Sequence, residues 1–166
     1  MQIEYRFAKA EDLNEIEILI QNAVQKMEAE NIHQWDEIYP TVEDFASDIN
    51  EGNLYAGTID GKIAVVFALN QESDEQYANG KWQFPEKEYF VIHRLCVNPE
   101  FQNRGVAKNT MTEIENILLK KNVHAIRLDV FSENPYSLKL YAKCGYTKTG
   151  ETEWRKGKFY LMEKYF

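Results

Sequence analysis

The chain has 166 residues, and its 44% hydrophobic content, with nine Phe, ten Tyr and three Trp, is enough for a full core, so one domain over residues 1–166 is expected. A formal net charge of −8 argues against nucleic acid as the main partner, because phosphate-backbone binding needs clustered Lys and Arg. The absence of an apolar run of about 18 residues argues against a membrane span, and the opening Met1-Gln2-Ile3-Glu4-Tyr5-Arg6 lacks the layout of a signal peptide, so a cytoplasmic protein is expected.

Residues 2–8 alternate loosely as a first strand. Glu11 and Asp12 then open a helix whose apolar positions Leu13, Ile16, Ile20, Ala23, Val24 and Met27 follow the helical period. An aromatic-rich connection over 31–40 leads to Thr41, which with Asp44 three residues on marks a second, short helix to about Ile49. Strand-like runs at 54–59 and 62–69 flank Asp60-Gly61, a two-residue hairpin signal, and should pair antiparallel. Residues 70–86 form a long polar segment, expected to be either mobile or part of a site. A strand over 91–97 follows, then a glycine turn at Gly105 and an amphipathic helix over 104–121 with Ala107, Met111, Ile114 and Leu118 on one stripe. Residues 125–131 alternate as a strand, with Arg127 and Asp129 on one face. Pro135 fits the first position of a short helix that Gly145 ends, and strands at 146–151 and 158–165 close the chain around Lys156-Gly157. The order β-α-α-β-β-β-α-β-α-β-β predicts a mixed sheet in an α/β fold, with an antiparallel hairpin region and two parallel crossovers.

Cys96 and Cys144 are too few for a disulfide framework and share no Cys-x-x-Cys spacing; His33, His93 and His124 form no His-x-x-x-His pair, so no metal site is expected. The strand-to-helix junction at Gly105 is the place where an anion would bind: a helix N-terminus has unpaired N–H groups, and glycine admits close approach. A glycine needed only for backbone geometry is the other reading. Two stretches without Asp or Glu, 101–112 and 134–150, carry Arg104, Lys108, Lys139, Lys143 and Lys148, and both fall at such junctions.

Two motifs resemble those of the GCN5-related N-acetyltransferase (GNAT) superfamily, and the resemblance covers essentially the whole chain. The first is Gln/Arg-x-x-Gly-x-Gly/Ala, here Gln102-Asn103-Arg104-Gly105-Val106-Ala107 after Leu95-Cys96-Val97-Asn98-Pro99. The second is Asn-x-x-Ala/Ser-x-x-Leu-Tyr-x-x-x-Gly-Phe/Tyr, here Asn134, Ser137, Leu140, Tyr141, Gly145 and Tyr146. The resemblance implies acetyl-CoA as cofactor, held between two splayed parallel strands at 91–97 and 125–131. It implies that the backbone around Leu95, Cys96 and Val97 pairs with the pantetheine arm. The amides of Gln102, Asn103, Arg104, Gly105, Val106, Ala107 and Lys108 would receive the pyrophosphate, and Asn134 would bind pantetheine.

Acetyl transfer to an amine needs a deprotonated nucleophile, donors for the developing oxyanion and a proton for the departing thiolate. By the resemblance, Tyr141 is the acid and the amide of Cys96 or Val97 the oxyanion donor. His93 is the candidate base, since alternation puts it on the side of Leu95; a water chain without a dedicated base is the alternative. The acceptor pocket implied by the family draws on His33, Gln34, Trp35, Asp36, Tyr39, Trp154 and Tyr160, with Asp36 or Glu37 as ammonium partner, and suits a small, partly apolar amine. A peptide or protein N-acetyltransferase and a non-catalytic CoA-binding module are the alternatives. A homodimer is compatible with all of these.

Overall fold

The structure is a computed structural model describing residues Met1–Phe166. Its strands are β1 (Glu4–Phe7), β2 (Leu54–Ile59), β3 (Lys62–Asn70), β4 (Tyr89–Val97), β5 (Ala125–Phe131), β6 (Thr147–Trp154) and β7 (Gly157–Tyr165). Its helices are α1 (Leu13–Ala29), α2 (Val42–Asn50), α3 (Val106–Lys120) and α4 (Pro135–Lys143). The fold is mixed α/β, with the expected element order, and the strands hydrogen-bond in the order β1-β2-β3-β4-β5-β7-β6. Contacts divide the chain into two compact units, Met1–Leu69 with His93–Thr110, and Asn70–Ile92 with Met111–Phe166, so that β4 and α3 each run from one into the other.

In the first unit, β1, β2 and β3 form an antiparallel meander. The β2–β3 turn has Asp60 at φ 51° and Gly61 at φ 79°, the two left-handed residues that let a two-residue hairpin follow strand twist. One face of the strands packs Leu54, Ala56, Val66, Ala68 and Cys96 against Ile16, Leu19, Ile20 and Ala23 of α1 and Phe45 of α2. The other carries Ala64 and Val65 with Val106 of α3, flanked by Ile3, Tyr5, Leu95 and Val97. Gly57 is needed there, since a Cβ would lie 2.7 Å from Val65 Cγ1. A capping box starts α2: Thr41 Oγ1 accepts from the Asp44 amide and the Asp44 carboxylate from the Thr41 amide.

In the second unit, β5 runs parallel to β4, with Val91 opposite Arg127, and antiparallel to β7, which pairs with β6. The crossover through α4 therefore lands on β6 with β7 inserted between it and β5. Residues 70–86 are neither a plain loop nor loosely attached. A 3-10 turn at Glu75–Asn79 buries Tyr77, whose ring stacks on Trp82 at 5.7 Å and meets Trp154 edge-on. Backbone and side-chain hydrogen bonds from Lys81 to Thr149 and from Asn79 to Thr152 join the segment to β6. The Arg127 guanidinium lies between the rings of Tyr89 and Trp82, at 3.7 and 4.2 Å. The segment lacks periodicity because its order comes from aromatic packing. No helix is long and apolar enough to cross a membrane.

Candidate active site

The end of β4 and the turn into α3 lie in the first unit. Arg94 lies inside β4 with φ 53°, a left-handed conformation that costs an L-residue about 1–2 kcal/mol. Its guanidinium reaches α2, donating from Nε and Nη2 to the two carboxylate oxygens of Asp48 at 2.7 and 2.6 Å. Nη1 donates to Tyr39 Oη at 3.0 Å. Burial alone would lower the pKa of Arg94, but the bonds to Asp48 and Tyr39 outweigh it and hold the guanidinium above its ordinary value. Beyond Arg94 the strand alternates: Cys96 faces the α1–α2 core, while Leu95 and Val97 face the cluster that holds Val106. The left-handed residue breaks the alternation that was to carry His93 to the side of Leu95, so that geometric support for His93 is lost.

The Asn98 amide donates to the Ala64 carbonyl of β3 at 2.8 Å. Successive strand amides point to opposite sides, so the N–H of Cys96 turns toward β3 and those of Leu95 and Val97 turn away from it. Asn98 also donates its side-chain amide to the Ile63 carbonyl and caps the 3-10 turn Pro99–Phe101. Gln102 is committed internally: Nε2 donates to the Val97 carbonyl, Oε1 accepts from Lys26 at 2.5 Å, and its backbone N–H closes the turn onto Pro99. The chain then passes through Asn103 at φ 62° and Gly105 at φ 78°, and nothing lies within 4 Å of where a Gly105 Cβ would be. Residues 103–105 are exposed, α3 begins at Val106, and its first turn has no acidic side chain. The N-terminal turn of α3, the open Gly105 and the side chains of Arg104 and Lys108 thus lie together at this junction, the donor set that an anion such as a pyrophosphate would need.

Helix α4 lies in the second unit. Asn134 is its N-cap, its Oδ1 accepting from the Ser137 amide at 3.2 Å, and Pro135 fills the first turn. Tyr141 is 7% exposed and meets the Tyr146 ring edge-on at 5.8 Å. Burial first, then the nearby Asp129 and Cys144, hold its phenol well above the ordinary range. Two residues that the sequence did not single out join it: Asp129 of β5 accepts a 2.7 Å hydrogen bond from the buried Tyr77 hydroxyl. Their signal is thin, one carboxylate on an alternating strand and one tyrosine in an aperiodic segment.

The candidate acceptor residues fall in both units. Trp35 is 8% exposed and belongs to the α1–α2 core, and Tyr39 is tied to Arg94. Asp36 closes a turn, Oδ1 accepting from the amides of Ile38 and Tyr39 at 3.0 and 3.2 Å; Gln34 is half-buried and His33 exposed in the same connection. Trp154 packs in the second unit against Tyr77 and Phe159, and the Tyr160 ring lies 4.0 Å from Lys148 Nζ. In the first unit a cavity of about 490 Å³ opens between α1, the 36–40 connection and α2. Its apolar lining includes Ile20, Val24, Pro40 and Phe45; its charged lining is Glu17, Glu28, Asp36, Glu37 and Glu43, with no Lys or Arg.

A family model described as the acetyltransferase (GNAT) family matches residues 16–146. Among solved structures, an acetyltransferase of the GNAT family from Streptococcus agalactiae is 25% identical, with 99% of this chain and 95% of that one covered and a TM-score of 0.87. The PaiA N-acetyltransferase of Thermoplasma acidophilum, solved in complex with coenzyme A, is 21% identical over 100% of both chains, with a TM-score of 0.74. The ribosomal-protein-S18-alanine N-acetyltransferase of Escherichia coli is 16% identical over 99% of this chain and 94% of its own, with a TM-score of 0.73. At their identities the last two show the fold alone. No curated protein matches in sequence.

Proposed function

We propose that this chain, which belongs to the acetyltransferase (GNAT) family, acetylates the amine of a small, partly apolar cation, its two units acting as one N-acetyltransferase domain. The family is a family of acetyl-CoA-dependent enzymes, and acetyl-CoA when bound supplies an acetyl group on a thioester. The cradle at 103–108 supports the pyrophosphate end: Gly105 leaves room for it, the first amides of α3 donate to it, and Arg104 and Lys108 neutralise it. Asn134 caps the helix that carries Tyr141, and any donor it gives the pantetheine arm is its side-chain NH2.

For the chemistry, the amides of Leu95 and Val97, turned away from β3, are the proposed donors to the carbonyl oxygen as charge builds on it, displacing Cys96 from that role. The proton of the attacking amine would pass to a water chain or to His93, and Tyr141 would give its phenolic proton to the departing sulfur. For the acceptor, the observation that carries the reading is the cavity in the α1–α2 region, whose apolar floor and five carboxylates suit an amine with an apolar body. A peptide acceptor is the second reading, favoured by the exposed Ile38 and Tyr39 at the edge of that region.

The test is release of free CoA thiol from acetyl-CoA with a panel of arylalkylamines, polyamines, amino acids and short peptides. Turnover with cationic small amines is the expected result. Turnover with peptides alone would select the second reading, and CoA binding without release for any acceptor would reject both. In His93→Ala the acidic limb of kcat/KM should disappear; an unchanged profile would exclude His93 as the base and leave the water chain.

A further inference from the structure

A left-handed arginine within a strand is unfavourable unless its surroundings over-determine it. Here they do. Arg94 is held by both oxygens of Asp48, itself 4% exposed, and by the Tyr39 hydroxyl. A buried ion pair is a poor device for stability, since desolvation consumes most of its attraction, but its fork geometry fixes direction. The direction fixed here is that of the backbone between Arg94 and Asn98, because the next amide is that of Leu95. The Tyr39 end is equally constrained: Tyr39 follows the turn closed by Asp36, and Asp36 lines the acidic cavity.

We infer that Arg94 is a positioning residue for acetyl transfer: clamped by Asp48 and Tyr39, it holds its own left-handed backbone in β4, which aims the Leu95 and Val97 amides, and links that aim to the acceptor connection at 36–39. This rests on the reading that those amides face the thioester. The guanidinium touches no reacting atom. Its effect is on orientation, where a displacement of ~1 Å can cost on the order of 100-fold in rate.

The experiment compares wild type, Arg94→Lys and Tyr39→Phe. Lysine keeps the charge and loses the fork; phenylalanine at the exposed position 39 removes only the hydroxyl. Thiol release from acetyl-CoA is followed with the best amine of the panel or, where none reacts, as the slow release by water, which draws on the same amides. CoA affinity is measured by calorimetry and folding by thermal melting. The expected result is a fall in kcat of about tenfold or more in Arg94→Lys and a smaller fall in Tyr39→Phe, with CoA affinity and KM for acetyl-CoA within about twofold of wild type. Wild-type kcat in both variants would overturn the inference and leave the proposed function standing, as would losses in kcat matched by equal losses in CoA affinity and melting temperature. A wild-type protein that binds no CoA would overturn the underlying reading and the inference with it.

Discussion

Replacing Tyr141 by Phe removes one hydroxyl and keeps the ring, which is buried and meets Tyr146 edge-on. The packing survives, so the melting temperature should change little while the chemistry changes much. A general acid contributes typically ~10²–10⁴ in rate, which at ~1.36 kcal/mol per decade is ~2.7–5.4 kcal/mol of barrier. The raised phenol has a further consequence. It stays protonated beyond the ordinary tyrosine value of about 10, so Tyr141 produces no alkaline limb of kcat below that pH. It also affects stability. A group whose folded pKa lies above its unfolded value stabilises fully below the unfolded value, and the unfolded chain loses its proton first as pH rises. The contribution of Tyr141 is therefore complete below about pH 10 and declines above it by up to ~1.4 kcal/mol per pH unit. Thiol-release kinetics from about pH 6 to 10, with urea unfolding at neutral and alkaline pH, measure both. A kcat within twofold of wild type at every pH would refute the acid assignment. An alkaline limb below about pH 10 that vanished in Tyr141→Phe would keep Tyr141 as the acid and refute the raised phenol.

Gly105→Ala meets no clash but puts a Cβ on a left-handed residue, so it should cost about 1–2 kcal/mol in urea unfolding and raise KM for acetyl-CoA more than it lowers kcat. Burial pushes the Cys96 thiol up to about 12, so a thiol reagent near neutral pH should label Cys144 alone in the native protein and both cysteines in denaturant. The hydrogen bonds from Arg6, opposed in part by burial, hold the Asp12 carboxyl below its ordinary value. Its stabilisation is thus present above the unfolded value of about 3.9 and is lost as pH falls through the lower folded one. Asp12→Asn should flatten the acid side of the stability profile, and an unchanged profile would show that the pair contributes nothing.

Where a local rule decides the backbone, the sequence anticipated the structure. Asp60-Gly61 makes its hairpin, Thr41 and Asp44 their capping box, and Gly105 and Pro135 open their helices, because each depends on residues within a few positions of one another. Order supplied from a distance was not legible. The 70–86 segment looked loose because Tyr77 and Trp82 take their partners from β5, β6 and β7. Trp35 looked like a pocket wall because aromatic residues in a loop read alike whether they line a site or fill a core. Arg94 is the sharpest case: strand alternation was applied through it to reach His93, and no arginine in a β-rich run announces a positive φ.

The same division separates the two halves of the function. In the proposed site, pyrophosphate would be bound through backbone amides and a missing Cβ, which leave a fixed motif; an acceptor would be bound through side chains and cavity shape, which do not. What the cavity does carry is charge, and charge can be tested without knowing the acceptor. Five carboxylates with no opposing cation among the lining residues attract a cationic amine over distances that salt screens, with a Debye length of ~10 Å at 0.1 M and ~3 Å at 1 M. For a cationic acceptor kcat/KM should fall as sodium chloride rises from about 0.05 to 0.5 M, through KM rather than kcat, while a neutral analogue is unaffected. Replacing Glu17 and Glu43 together by Gln should raise KM for the cationic amine at low salt and shrink the salt dependence. Equal salt dependence in wild type and double variant would show that the ammonium does not use this cavity, and would move the acceptor reading toward the exposed surface at Ile38 and Tyr39.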